Sequence, residues 1–219
     1  MTRYGMVIDL GRCVGCYGCT AACKAENKTS KGIFWASAVE GETGKYPTAR
    51  RYYIPTLCMH CDDAPCVSVC PTGASLKRAD GIVVVDPDKC IGCKYCMQAC
   101  PYGARYYLDR VEGYFPDGLT VWEARYYTAH RQGVVEKCTF CVHRVEAGLK
   151  NNLVPGVDRD ATPACVNTCL GRARFFGDLD DPNSNVSKLL ATRRAGRLKE
   201  EQNTDPSVYY IGLGSTEKK

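Results

Sequence analysis

Cys90, Cys93, Cys96 and Cys100, followed by Pro101, are spaced C-x2-C-x2-C-x3-C-P. Cys58, Cys61, Cys66, Cys70 and Pro71 repeat the pattern with two extra residues between the second and third cysteines. This spacing is an iron–sulfur signal. Three closely spaced cysteines set their thiolates around one face of a cubane [4Fe–4S] cluster, while free loop amides point at its sulfides. The fourth cysteine starts the next helical turn and projects away. Two more groups carry the same chemistry. Cys13, Cys16, Cys19 and Cys23 have x2, x2, x3 spacing; Cys138 and Cys141 are joined by Cys165 and Cys169 after an excursion of 23 residues.

Two other cysteine chemistries compete. The sixteen cysteines are about 7% of 219 residues, below the roughly 8–10% of a disulfide scaffold. They are also bunched, and a ladder of C-x2-C steps is poor disulfide geometry. Zinc uses C-x2-C pairs too, but usually two separated pairs rather than four thiolates in one run. The split group around Cys138 is where zinc competes best. In two-cluster ferredoxins the fourth cysteine of each run ligates the other cluster. That crossing assigns Cys58, Cys61, Cys66 with Cys100, and Cys90, Cys93, Cys96 with Cys70. Symmetry then assigns Cys13, Cys16, Cys19 with Cys169, and Cys138, Cys141, Cys165 with Cys23.

The formal charge is +5, which alone would suit an anionic partner such as nucleic acid or a membrane surface. Four oxidised cubanes at about −2 each would bring the holoprotein near −3, so the basic excess balances clusters and no nucleic-acid partner is expected. No run approaches 18 apolar residues, and a strand begins at Tyr4 without a signal sequence. A cytoplasmic location, or passage across the membrane in the folded state on a partner's signal, is expected.

The elements that must position these thiols are short. Tyr4 to Leu10 reads as a strand feeding the first group, and a helix is expected from about Cys19 to Asn27, where Lys24 replaces the proline. Residues 28–50 read as a polar surface loop around Phe34 and Trp35. Arg51 to Leu57 is a strand; His60, between ligands, has a hydrogen-bonding or solvated role. After Cys70 the chain turns into a strand, Asp80-Gly81 marks a hairpin, and Ile82 to Val85 returns to Cys90. Cysteine, then alanine four residues later, then a strand recurs after Cys70, Cys100 and Cys169, an internal repeat.

The expected fold is α+β: two doubled ferredoxin-like modules of two [4Fe–4S] clusters each, with short strands, hairpins, cluster-binding loops and an extended C-terminal tail. Residues 1–57 plus 137–181 form one module and 58–108 the other. Residues 109–136 are an aromatic-rich insertion, either a minor core or a subunit interface, with His130 on the surface. Residues 182–219 hold a basic helix (Val186 to Leu198, carrying Arg193, Arg194, Arg197 and Lys199) and a tail anchored by Val208-Tyr-Tyr-Ile211. Such a tail is either disordered or laid against another subunit. Lys24, Lys94, Lys137 and Arg144 are candidates for raising cluster potentials.

These cysteine groups, with Cys-Met-His-Cys-Asp-Asp-Ala-Pro-Cys, Cys-Pro-Thr-Gly-Ala, Lys137-Cys-Thr-Phe-Cys-Val-His-Arg144 and Asp205-Pro-Ser-Val-Tyr-Tyr-Ile211, resemble the four-cluster electron-transfer subunit of the dimethyl sulfoxide reductase family of molybdopterin enzymes. The likeness covers nearly the whole chain. Gly5-Met-Val-Ile-Asp9 and Tyr-Ile-Pro-Thr-Leu-Cys58 look closest to the branch serving polysulfide, thiosulfate, tetrathionate and respiratory arsenate reductases. Relatives also serve aromatic-ring hydroxylases and dehydroxylases. Some relatives carry tryptophan at one ligand position and hold a three-iron centre. Here all sixteen positions are cysteine, so the resemblance implies four cubanes. The interval from Cys141 to Cys165 is longer than in the shortest relatives.

The resemblance implies an electron relay without a catalytic residue of its own, since no open metal position, phosphate-binding loop or activated nucleophile is visible. Chemistry would belong to a large molybdopterin (or tungstopterin) subunit, with a membrane quinone-binding subunit or a soluble carrier at the far end. A free-standing polyferredoxin and a zinc-binding interaction module are the rivals.

Overall fold

The computed structural model describes residues 2–213. β1 (Tyr4–Asp9) is buried along its whole length. It lies between two partners that come from the far end of the chain. β8 (Arg174–Asp178) pairs antiparallel with it and β10 (Val208–Ile211) parallel, and β9 (Ala195–Gly196) completes a four-stranded sheet in the order β8-β1-β10-β9. A continuous apolar run without polar alternation is what a strand covered on both faces requires. Gly5 is needed at this crowded centre, because a Cβ there would sit 2.6 Å from the Ser207 carbonyl oxygen.

The remaining strands form three two-stranded hairpin-like sheets. β2 (Ala36–Thr43) pairs with β3 (Arg50–Leu57), β4 (Ser75–Lys77) with β5 (Val83–Val85), and β6 (Tyr106–Leu108) with β7 (Val134–Glu136). The helices are short and mostly follow cysteines. They are α1 (Gly18–Asn27), α2 (Pro65–Ser68), α3 (Tyr95–Gln98), α4 (Val121–Tyr127), α5 (Val142–Lys150), α6 (Ala164–Asn167) and α7 (Asn185–Thr192). α1 is the helix expected after Cys19. It ends at Lys28, in the left-handed region, with Lys24 Nζ donating to the carbonyls of Thr29, Ser30 and Ile33. None of the described helices is long and apolar enough to cross a membrane.

Several expectations are corrected. Residues 28–50 are not simply a loop: β2 pairs with β3 over eight residues, and Trp35 is buried, donating to Glu136 Oε1 at 3.2 Å. The sequence of β2 is polar and contains Gly41, so pairing with β3, rather than propensity, makes it a strand. A Cβ at Gly41 would lie 2.4 Å from the Tyr52 ring. His130 is not on the surface. Its Nδ1 is 2.7 Å from Glu136 Oε2, and its Nε2 is 2.7 Å from the Asn27 carbonyl oxygen.

The basic helix ends at Thr192, because Arg193 is extended and pairs with Asp9; Arg193, Arg194, Arg197 and Lys199 lie beyond it. The tail is neither disordered nor reserved for another subunit as far as Ile211. Val208 and Tyr210 are fully buried in the chain's own sheet, and the Tyr210 hydroxyl donates to the Pro55 carbonyl at 2.8 Å. Residues 214–219 of the expected tail lie outside the described residues. In the insertion, α4 carries a capping box between Thr120 and Glu123. Tyr127 is buried while Tyr114, Phe115 and Trp122 are exposed, so only part of the aromatic cluster is core.

The excursion after Cys141 folds onto the chain. Arg144 on α5 donates to the carbonyls of Thr162 (2.8 Å) and Arg159 (2.9 Å) and pairs with Glu26 on α1. Gly148 approaches Ala161 so closely that a Cβ would meet it at 2.3 Å.

Candidate metal centres

Each cysteine group opens with the same turn. The residue before the second cysteine is left-handed in all four: Gly15 (φ 66°), His60 (φ 45°), Gly92 (φ 67°) and Phe140 (φ 53°). Turns of this kind gather successive amides into a concavity for anions. Glycine is required in two of them. A Cβ on Gly15 would meet the Tyr53 ring at 2.3 Å, and one on Gly92 would meet the Gly133 carbonyl oxygen at 2.3 Å. The other two turns carry rings, and those rings meet: His60 stacks on Phe140 with centroids 3.7 Å apart.

The turns bring the cysteines together in fours. Cys13, Cys16, Cys19 and Cys169 line one cavity (site 1). Cys58, Cys61, Cys66 and Cys100 line a second (site 3), and Cys70, Cys90, Cys93 and Cys96 a third (site 4). Cys23, Cys138, Cys141 and Cys165 are all buried and make up site 2. Asn27 Nδ2 lies 3.5 Å from Cys23 Sγ and 3.7 Å from Cys141 Sγ. Burial, then the neighbouring Cys165 and Cys141, push the Cys23 thiol up.

Among the described residues, no three His, Cys, Asp or Glu side chains converge closely enough to hold a single metal ion. A zinc site would need its thiolates about 2.3 Å from one point. Four soft sulfur donors in each group fit an iron–sulfur cluster. Burial raises the thiols: Cys61 is pushed up to about 12 and Cys141 to about 11. Cys70 goes the other way. Burial raises it, but the Ser75 amide and Thr72 hydroxyl lower it further, leaving it at about 7. Thiols raised by burial become thiolates only when metal replaces the proton.

Amides and cations surround the sulfurs. Backbone N–H groups donate to Sγ from Ser75 (to Cys70, 3.4 Å), Ala173 (to Cys169, 3.2 Å), Val135 (to Cys90, 3.5 Å) and Phe140 (to Cys138, 3.5 Å). Of the cations expected to matter, Lys137 is fully buried, its Nζ held by the Val83 and Cys138 carbonyls. Lys94 lies over the Tyr107 ring, while Arg144 and Lys24 are engaged mainly by the carbonyls and carboxylate described above.

Two arginines escaped sequence reasoning. Arg105 Nη2 is 2.9 Å from Cys66 Sγ, and Arg174 Nη2 is 3.4 Å from Cys19 Sγ. The signal in the sequence was their equivalence, each five residues after a fourth cysteine, Cys100 or Cys169.

Sites 2 and 3 adjoin, because Cys58 is among the groups that raise Cys138. The Tyr106 hydroxyl is raised by burial, then by Cys138 and Cys23 of site 2 and Cys100 and Cys58 of site 3. Sites 1 and 4 each contain one exposed cysteine, Cys16 and Cys93. Exposed apolar side chains flank them: Val14, Tyr17 and Leu170 at site 1, and Ile91 and Tyr95 at site 4.

The 4Fe-4S dicluster domain families match residues 49–114 and 82–170. The chain is 47% identical, over 96% of its length and 79% of the relative's, to a protein of Halobacterium salinarum named as a dimethyl sulfoxide reductase iron–sulfur subunit. It is 42% identical to the arsenate respiratory reductase iron–sulfur subunit of a Shewanella species, covering 95% of this chain and 96% of that one. It is also 42% identical to a subunit of the tetrathionate reductase of Salmonella typhimurium, over 96% and 73% of the two chains. The chain belongs to the family of iron–sulfur electron-transfer subunits that serve oxidoreductases of the dimethyl sulfoxide reductase type.

Proposed function

We propose that the sixteen cysteines hold four [4Fe–4S] clusters in the crossed arrangement. Site 1 would use Cys13, Cys16, Cys19 and Cys169; site 2 Cys23, Cys138, Cys141 and Cys165; site 3 Cys58, Cys61, Cys66 and Cys100; site 4 Cys70, Cys90, Cys93 and Cys96. The two halves are read as doubled ferredoxin-like modules, residues 1–57 plus 137–181 and residues 58–108. When bound, the clusters supply one-electron chemistry. The chain holds them in amide-lined sites, buries seven of the eight cysteines of the two inner ones and leaves one cysteine exposed at each outer one.

That distribution of exposure carries the reading. With sites 2 and 3 adjoining and sites 1 and 4 each exposing a cysteine, the order is 1-2-3-4 and both ends face partners. The partners are a large molybdopterin (or tungstopterin) catalytic subunit and, at the other end, a membrane quinone-binding subunit or soluble carrier. The arsenate and tetrathionate reductase relatives support an anaerobic respiratory complex acting on a sulfur oxyanion, polysulfide or arsenic compound. The chain's compartment would be that of its catalytic partner, the cytoplasm or the periplasm reached by co-export. The test is purification of a tagged chain from its own cells without oxygen. A large pterin-containing subunit at fixed stoichiometry is expected; a stable monomeric holoprotein would mean a free carrier.

A further inference from the structure

We propose that Arg174 and Arg105 are paired potential-setting residues, each a single buried cation shared by the two clusters of its own module. The inference rests on the ligand assignment above. Both side chains are almost fully enclosed. Arg174 spans sites 1 and 2, with Nη2 3.4 Å from Cys19 Sγ and Nη1 3.9 Å from Cys165 Sγ and 3.6 Å from Met6 Sδ. Arg105 spans sites 3 and 4. Its Nη2 is 2.9 Å from Cys66 Sγ, and its Nη1 donates to Ser75 Oγ at 2.7 Å, while the Ser75 amide donates to Cys70 Sγ.

Among the described residues, neither arginine has a carboxylate partner in an ion pair or hydrogen bond. A guanidinium cannot shed its charge in a protein, and a buried charge needs compensation. Beside the neutral Met6 and Ser75, cysteine sulfur is what the two arginines have. Cysteines of both sites of its module surround each guanidinium: Cys165 and Cys19 for Arg174, and Cys66, Cys96 and Cys58 for Arg105.

A cluster gains one negative charge on reduction. A fixed cation close to its ligands therefore favours the reduced form, and low polarity strengthens the effect. The sulfur partners of each arginine belong to both sites of one half. Removing it should shift two clusters and spare two. The relationship is invisible as charge patterning, because each arginine looks like an ordinary residue entering a strand.

The test is a redox titration of the intact complex, followed by electron paramagnetic resonance, with iron content measured on the same samples. For Arg174→Gln the reduced-to-oxidised ratio of two clusters should fall at least tenfold at fixed ambient potential, about 59 mV for one electron. The other two should stay within twofold. Arg105→Gln should move the complementary pair, and Arg174→Lys and Arg105→Lys should restore most of each shift.

Full iron with no shift, or with all four clusters shifted alike, would overturn the proposal. If the Gln variants lose iron, the Lys variants decide: four clusters at parental potentials support the charge role, and iron loss there too overturns it. A parent protein with fewer than four clusters would instead count against the ligand assignment.

Discussion

His60 and Phe140 occupy the same place in two different cysteine turns, and their rings lie face to face, 3.7 Å between centroids at an interplanar angle of 24°. Where the outer turns have Gly15 and Gly92, the inner ones have rings, and the stack joins sites 3 and 2. Phe140 also packs edge-on against Phe176 of β8. His60 Nδ1 accepts from the Val83 amide at 3.1 Å. Burial, then Lys137 and Arg105, lower the His60 pKa far below its usual value, so the ring is neutral and packs as an aromatic.

Phe140→Ala should therefore cost about 3–5 kcal/mol and weaken the inner sites before the outer ones. Thermal loss of visible absorbance, with iron retained at each step, is the readout. Phe140→Leu should recover more than half of the midpoint. Equal loss of iron from all sites would mean the stack has no special place at the junction.

The crossed ligand assignment predicts an effect at a distance along the sequence. Cys100→Ser should disturb the cluster of the Cys58 group and spare that of its own group, Cys90, Cys93 and Cys96. Electron paramagnetic resonance of the reduced variant checks this. Loss of the Cys90-group signal first would refute the crossing.

The C-terminal segment is part of site 3's cover. The amides of Asp62 and Asp63 donate to the carbonyls of Asp205 (2.8 Å) and Thr204 (3.2 Å), and that of Ser207 to Met59 (2.9 Å). Tyr102 lines the same site, and its hydroxyl is 2.7 Å from Thr204 Oγ1. Tyr210→Phe removes one buried hydrogen bond and should cost about 1 kcal/mol; Tyr210→Ala should cost about 3–5 kcal/mol. Chelator challenge should strip the Tyr210→Ala protein at site 3 first. Uniform iron release would contradict the cover.

A pH effect follows from His130. Burial lowers its pKa, but the hydrogen bond and charge of Glu136 raise it more, and the net is upward. The group is then more basic folded than unfolded, where its pKa is about 6.5. Its contribution is complete below about pH 6.5 and disappears as pH rises through the elevated folded value. Trp35 donates to the same Glu136, so its fluorescence reports on the pair. Wild type should lose stability across that window relative to His130→Gln; parallel pH profiles would exclude the effect.

The sequence made the sixteen thiols, their grouping and the strands that feed them legible, because ligand spacing is a local property and C-x2-C turns are local geometry. β1, α1, the β4–β5 hairpin and β8 followed from short-range signals. β2 did not, because its polar residues become a strand only by pairing with β3. β10 was read as the anchor of an extended tail and not as a sheet strand, because its partner, β1, lies some 200 residues away in sequence. His130 looked ordinary until Glu136 and Asn27 were brought to it. Arg105 and Arg174 were in plain view in the repeat, but burial against sulfur is a property of the folded chain.

The most direct test of the account is iron, acid-labile sulfide and zinc content of the protein purified without oxygen. About sixteen irons and as many sulfides per chain, with no zinc, is the predicted result for four cubanes. About eight irons together with zinc would contradict it and would make the split Cys138 group and its pairing with Cys23 wrong.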